Sequence, residues 1–385
     1  MRFWMVSSIL CLMKTEVVSL TAENPDIEKI QAAARILDEG GLVAFPTETV
    51  YGIGCRAQAQ AIARLDEIKG RAKGKRYTLH VADPQGVARY VTRIPAKGRK
   101  LIAKGWPGPL TVVFELDEGT IEKQRGIITK DAFDILYQDN TIGIRCPDNR
   151  IAKELLGFAR WAIVAPSANL YTRQPATSAG EVLEQLDGKI DLILDGGECK
   201  YGKSSTVVKI THNALTILRE GTYSEKDITE MSSIKILFVC TGNTCRSPMA
   251  AAFCRKYISE KLNCGVDENE PRGYKITSAG VMAGPEMPAS KEAVDICAAK
   301  GVDVSGHRSS VLTRLEIEES DYIFVMTKSH RDRILEVCPA ASQKCMLLDE
   351  GGDIADPIGG GEGIYRGCAE RIENALKKRL GEILE

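Results

Sequence analysis

Two α/β domains in tandem are predicted: an N-terminal one of mixed strand direction and a C-terminal one built on a doubly wound parallel sheet. Three observations carry this. The chain has 385 residues, 44% of them hydrophobic, which is enough for full cores in about two domains. From position 234 onward strand-like and helix-like runs alternate, the pattern of parallel βαβ units. Before position 225 many short strand-like runs are separated by shorter helical or turn segments, which reads as mixed α/β.

Residues 1–19 read as an N-terminal extension. The stretch 3–13 is apolar and follows a single Arg2, but it lacks a small-x-small cleavage site and is too short to span a bilayer. The folded part is expected to start near Met13-Lys-Thr-Glu, with Met1 and Met13 as alternative starts and the first domain over 20–224. A helical period over 26–39 (Ile27, Ile30, Ala33, Ala34, Leu37) stops at Gly40-Gly41, and a strand at 42–45 runs into Pro46-Thr-Glu-Thr-Val-Tyr-Gly52. Further strands are expected at 110–116, 141–145, 162–165, 192–194, 205–210 and 214–219. Residues 225–233 are polar without a sustained period and read as a linker. The second domain, 234–385, is expected to alternate strands at 234–240, 275–278, 322–326 and 346–348 with helices near 248–262, 289–300, 329–338 and 364–384.

Charge is almost balanced: 31 basic residues stand against 29 acidic ones up to position 230, and 20 against 23 after it. Neither half is a dedicated nucleic-acid binder on that count. Twelve cysteines occur without one Cys-x-x-Cys, which argues against a zinc module or disulfide framework and for a reducing cytoplasm. Beyond position 13 the sequence has no apolar run long enough for a transmembrane helix.

The sharpest motif is Cys240-Thr-Gly-Asn-Thr-Cys-Arg-Ser247, between the apolar run Ile236-Leu-Phe-Val239 and the helix-prone Pro248-Met-Ala-Ala-Ala-Phe. Strand, tight loop and helix start in that order make a cup of backbone N–H groups with a thiol at its floor and a guanidinium at its rim. Cys240 is then expected to rest as thiolate and take a phosphoryl group, while Arg246 forks two equatorial oxygens. Ser247 supports the sulfur, Gly242 and Asn243 shape the loop, and Asp356 in Asp356-Pro-Ile-Gly-Gly-Gly361 supplies the leaving-group proton. His307 and His330 read as capping or surface residues, and His212 invites no role.

These residues resemble the low-molecular-weight protein-tyrosine phosphatase family over 234–385, with Ser278-Ala-Gly280 and the segment 301–309 fitting as well. The resemblance implies a four-stranded doubly wound parallel sheet, no cofactor, phosphorylated proteins as partners, and Cys245 as a thiol that pairs reversibly with Cys240. Thr244 looks like the protein-arginine-phosphatase branch, where tyrosine-specific members usually carry an aliphatic residue. An arsenate-reductase reading needs relay cysteines, and none lies between Cys297 and Cys338.

In the first domain, Lys69-Gly-Arg-Ala-Lys-Gly-Lys-Arg76 places five cations in eight residues, which reads either as a solvated helix end or as a polyphosphate or RNA site. Pro46–Gly52, this basic segment with His80, Trp106-Pro-Gly-Pro-Leu-Thr111, Thr141-Ile-Gly-Ile-Arg-Cys-Pro147, Ala165-Pro-Ser-Ala-Asn169 and Ser205-Thr-Val-Val208 follow in order. Together they resemble the YrdC-like threonylcarbamoyl-AMP synthase family over about 20–224. The resemblance implies a basic concave cavity and condensation of L-threonine, bicarbonate and ATP, with Mg2+ on the triphosphate, into an adenylate for the tRNA-modification machinery. Lys69, Arg71, Lys75, Thr141, Asn169, Thr177 and Arg219 are then expected around ATP. Thr49, His80, Arg145 and Ser167 are expected around threonine, with Arg145 clamping its carboxylate. No dedicated metal ligands and no stable nucleic-acid binding are expected. The rival reading makes this domain an RNA-binding module that recruits the phosphatase. Arg76-Tyr-Thr78 and Tyr171-Thr172 depart from the family pattern, beside the expected ATP loop.

Overall fold

The computed structural model describes residues 14–70, 76–171, 173–211 and 214–384. The apolar stretch with Met1 and Met13, the cations Arg71 and Lys75, and His212 lie outside the described residues. The chain divides between Ile228 and Thr229 into two compact units.

The first unit holds β1 (Glu16–Ser19), β2 (Val43–Phe45), β3 (Gly52–Arg56), β4 (Thr78–His80), β5 (Leu110–Glu115), β6 (Thr141–Arg145), β7 (Ile163–Val164), β8 (Leu192–Asp195), β9 (Thr206–Ile210) and β10 (Leu215–Arg219). They form one sheet in the order β1-β8-β2-β3-β7-β4-β6-β5-β9-β10. Parallel pairs (β1 with β8, β4 with β6, β5 with β9) occur beside antiparallel ones (β2 with β3, β5 with β6), so the unit is mixed as expected. The helix Ile27–Asp38 is capped by the Asp26 carboxylate, which accepts from the N–H groups of Glu28 and Lys29. Its stripe Ile30, Ala33, Ala34 and Leu37 packs with Ile151, Ala152 and Leu155 of the helix Arg150–Phe158 in one buried cluster.

Two expected boundaries are corrected. The extension drawn over 1–19 ends too late, because Glu16–Ser19 pairs with β8 and Thr15 is buried, its hydroxyl donating to the Ile190 carbonyl at 2.9 Å. A four-residue strand beside polar neighbours shows too little alternation to be read from sequence. The linker drawn over 225–233 folds as the helix Glu225–Ser232, whose start is tied by Asp227 accepting from the Ser224 N–H and hydroxyl at 2.8 and 2.7 Å. Two turns are too few to display a period, and its one deeply buried apolar side chain is Ile228.

The second unit has β11 (Ile234–Cys240), β12 (Tyr274–Gly280), β13 (Tyr322–Val325) and β14 (Cys345–Leu347), all parallel, in the order β12-β11-β13-β14. β11 is central and almost wholly buried, which its run Ile-Lys-Ile-Leu-Phe-Val-Cys allows. The chain leaves β11 to one side for β12 and returns on the other as β13. That reversal opens a crevice at the carboxyl end of β11, where open α/β sheets bind ligands, and Cys240 is its last residue. Among the described residues no helix is long and apolar enough to cross a membrane.

Candidate functional sites

The loop from Cys240 to the helix Arg246–Leu262 is held by one strained residue. Asn243 takes φ of +53°, a left-handed conformation that its side chain stabilises. Its Nδ2 donates to Ser247 Oγ at 2.8 Å and Ser278 Oγ at 2.9 Å, and its Oδ1 accepts from the Ser310 N–H at 2.9 Å. So placed, the Asn243 N–H donates to Cys240 Sγ at 3.2 Å, and Ser247 Oγ lies 3.0 Å from the same sulfur. β12 reaches this loop only because it ends in glycine: a Cβ at Gly280 would sit 2.6 Å from the Thr241 carbonyl oxygen and 3.0 Å from Asn243 N.

Arg246 is 3% exposed. Its Nη1 donates to the Ile354 carbonyl at 3.1 Å, and its Nη2 donates to Thr241 Oγ1 at 3.3 Å and pairs with Asp356 Oδ2. Arg246 Nε is buried and has no hydrogen-bond partner among the described residues. The Asp356 side chain is 40% exposed. The structure therefore gathers Cys240, Asn243 and Ser247 into one hydrogen-bonded set and Thr241, Arg246 and Asp356 into a second, both carried by the same loop. Thr244 lies half-buried on the same loop, its hydroxyl 3.6 Å from Cys245 Sγ, and that thiol also meets Ser290 Oγ and the Tyr365 hydroxyl at 3.3 Å each.

The two histidines are corrected: both brace the loop. His307 Nε2 is 2.7 Å from the Asn243 carbonyl oxygen, which can only accept. His330 is 4% exposed, with Nε2 2.9 Å from Thr241 Oγ1 and Nδ1 2.9 Å from Thr327 Oγ1. Burial, followed by the Arg246 charge, pushes its imidazole down to about 4. Burial also lowers His307. Sequence spacing gave no signal for either contact, since the partners lie 64 and 89 residues away.

In the first unit a cavity of about 380 Å³ is lined by Lys69, Arg76, His80, Arg145, Ser167, Asn169, Tyr171, Ser205 and Arg219, among others. Its floor comes from β4 and β6, whose ends place His80 beside Arg145 in parallel register. Lys69 closes the helix Ala59–Lys69, is 8% exposed, and donates to the carbonyls of Ser167 and Asn169, at 2.7 Å for the latter. Ser167 Oγ donates to Asn169 Oδ1 at 2.6 Å, and Arg219 Nη2 to the Ser205 carbonyl at 2.8 Å.

Arg145 Nη2 donates to Thr49 Oγ1 and to Glu48 Oε1, both at 2.7 Å, in an ion pair whose side chains are 8% and 3% exposed. Glu48 Oε2 accepts from the Asp148 N–H at 2.8 Å. Like Arg246, Arg145 keeps a buried Nε that has no partner among the described residues. Burial and Arg145 together push His80 down to about 3, so the ring is neutral. Its Nδ1 is 3.1 Å from the Thr78 carbonyl, which can only accept, so Nδ1 carries the proton and Nε2 is an acceptor.

Four expected ATP residues stand apart. Thr141 reaches the cavity through Arg76, whose Nη1 donates to its hydroxyl at 3.0 Å. Thr177 is not on the cavity wall: its hydroxyl donates to Glu181 at 3.1 Å, at the head of the helix Ala179–Leu186. Arg71 and Lys75 lie outside the described residues. Sequence reasoning missed Glu48, although it sits inside a quoted motif, counted Arg76 within the basic run but gave it no role of its own, and treated Tyr171 only as a departure, although both line the cavity. Among the described residues no three His, Cys, Asp or Glu side chains cluster as a metal site.

Folds and sites together define a tandem of two α/β domains, one around a cationic cavity and one around a cysteine-arginine loop. Residues 35–221 match the Sua5/YciO/YrdC profile, described as telomere recombination, and 235–385 match low molecular weight phosphotyrosine protein phosphatase. A threonylcarbamoyl-AMP synthase of Pyrococcus abyssi is 37% identical over 194 residues, 50% of this chain and 54% of the relative. One of Halorhodospira halophila is 32% identical, covering 44% of this chain and 83% of the relative. A protein-arginine-phosphatase of Geobacillus stearothermophilus is 38% identical, covering 39% and 96%. The solved structure of P. abyssi Sua5 complexed with L-threonine shares the fold at TM-score 0.50 and 22% identity, over 94% of this chain and 98% of that one. The chain spans little more than half the length of the first synthases it matches, 54% and 57%. The chain thus belongs to the Sua5/YciO/YrdC family in its first unit and to the low-molecular-weight phosphotyrosine protein phosphatase family in its second.

Proposed function

We propose that the chain is a bifunctional cytoplasmic enzyme. Its first unit condenses L-threonine, bicarbonate and MgATP into L-threonylcarbamoyladenylate and pyrophosphate, for the machinery that modifies tRNA. Its second unit hydrolyses phosphorylated side chains of proteins, phosphoarginine ahead of phosphotyrosine.

The observation that carries the phosphatase reading is the convergence on Cys240 Sγ of the Asn243 N–H and Ser247 Oγ, with Arg246 and Asp356 in one network beside it. A phosphate dianion takes Arg246 from Asp356, and the released carboxylate takes up a proton from solvent, which makes it the acid for the leaving group. Sulfur attacks phosphorus; the S–P bond forms, the bond to the leaving atom breaks, and Asp356 gives that atom its proton. Water then attacks phosphorus, Asp356 takes its proton, and the thiolate leaves with Ser247 donating to it. Thr244 on the loop supports the phosphoarginine preference.

The synthase reading rests on the cavity, where Lys69, Arg76, Arg145 and Arg219 face space for a triphosphate and an amino acid. Arg145 is the clamp for the threonine carboxylate, and the neutral His80 offers Nε2 to its amine. The positive wall stabilises the charge that develops at phosphorus during adenylyl transfer. Pyrophosphate release that requires threonine, bicarbonate and MgATP tests this reading. Release without threonine, or none, contradicts it and leaves the RNA-binding alternative, which gel-shift against tRNA then decides.

A further inference from the structure

We propose that His330 is a positioning residue for phosphoryl transfer: it fixes the Thr241 hydroxyl, and through that hydroxyl the guanidinium of Arg246, without touching substrate. The inference rests on the phosphatase reading of the second unit and goes beyond it.

Three contacts form a continuous path. Arg246 Nη2 donates to Thr241 Oγ1 at 3.3 Å, Thr241 Oγ1 lies 2.9 Å from His330 Nε2, and His330 Nδ1 lies 2.9 Å from Thr327 Oγ1. A guanidinium only donates, so the Thr241 oxygen must keep a lone pair toward Arg246, and the imidazole settles where the remaining hydroxyl valence points. Thr327 is the N-cap of the helix Lys328–Val337, so the far end of the path is anchored on a rigid element.

A capping role does not explain the ring. The cap bond runs from the His330 backbone N–H to Thr327 Oγ1 at 3.3 Å, and any residue other than proline supplies that N–H. What histidine adds is a side chain with a polar atom at each end, 4% exposed, between the helix cap and the cysteine loop. The charges around it are Arg246, Asp356 and Asp353. Being neutral, the ring adds no second cation that would hold Asp356 away from its task.

The test uses the full chain, p-nitrophenyl phosphate as substrate and orthovanadate as the oxyanion probe. Thr241→Val and His330→Ala should each lower kcat/KM and weaken vanadate inhibition about tenfold, the size of a lost hydrogen bond to a charged group. The double variant should be no worse than Thr241→Val alone, because both changes cut the same path. Thr241→Ser and His330→Asn, which keep polar atoms in place, should recover part of the loss. If His330→Ala does not fold, His330→Leu, which fills the space without a polar atom, takes its place in the cycle. Wild-type vanadate affinity in the His330 variants, or losses that multiply in the double variant, overturns the role. A wild-type chain that neither hydrolyses the ester nor binds vanadate overturns the phosphatase reading, and the role with it.

Discussion

The two sites hold their arginines in opposite ways. Arg145 is locked in a buried ion pair with Glu48 and steadied by Thr49, whereas Arg246 is braced by a carbonyl and a hydroxyl and pairs with a half-exposed carboxylate. Both nonetheless keep a buried Nε without a partner among the described residues. The difference fits the ligands proposed. An amino acid arrives as a zwitterion, so a guanidinium already neutralised by Glu48 provides direction without excess charge. A phosphate monoester arrives as a dianion and needs the full cation, which Arg246 provides once Asp356 turns to the leaving group.

The contrast is most easily broken at Asp356. Asp356→Asn should keep Arg246 in place but remove the proton donor, lowering kcat on phosphotyrosine about 10²- to 10⁴-fold with little change in vanadate affinity, read by steady-state kinetics. Unchanged kcat would move the acid elsewhere. Glu48→Gln probes the other arginine. It leaves Arg145 buried without its countercharge and should cost about 3–5 kcal/mol of unfolding free energy in denaturant titration, with a raised KM for threonine. A KM change without loss of stability would mean that the pair is not buried as described.

Smaller still, Gly280→Ala should push the cysteine loop and lower kcat/KM for p-nitrophenyl phosphate about tenfold, because its Cβ has backbone rather than flexible side chain to meet. Wild-type turnover would show that the loop yields. The gentlest test is pH. His80 and His330 are held below their ordinary value, to about 3 and about 4, so the unfolded chain binds more protons than the folded one between those values and about 6.5. Stability is full above about pH 6.5 and falls as pH drops toward 4. The thermal midpoint should follow, and His330→Gln should flatten part of the slope; a midpoint independent of pH in that window would contradict the burial of both rings.

How much of this was legible in the sequence differs between the units for the same physical reason. The second unit stacks parallel strands buried on both faces, so Ile234–Cys240 stands out as an apolar run and its neighbours alternate with helices. The cysteine cup is contiguous in sequence and could be read whole. In the first unit Thr78–His80 is three residues long and Ile163–Val164 only two, too short for any period. The cavity is assembled from distant segments, so Glu48, 97 residues from Arg145, shows in the sequence only as one more charge in a motif. Thr177 illustrates the converse: a hydroxyl expected at ATP instead donates to the Glu181 side chain, in the first turn of a helix that Ser178 caps.

The central claim is that one chain carries two separable active sites, and reciprocal single substitutions in the full-length protein test it most directly. Threonine-dependent pyrophosphate release from MgATP and phosphate release from p-nitrophenyl phosphate should be measured for Cys240→Ser and Lys69→Ala side by side. The account predicts that Cys240→Ser loses phosphate release and keeps wild-type pyrophosphate release, with Lys69→Ala the mirror image. Pyrophosphate release that ignores threonine, or phosphate release that survives Cys240→Ser, would contradict it.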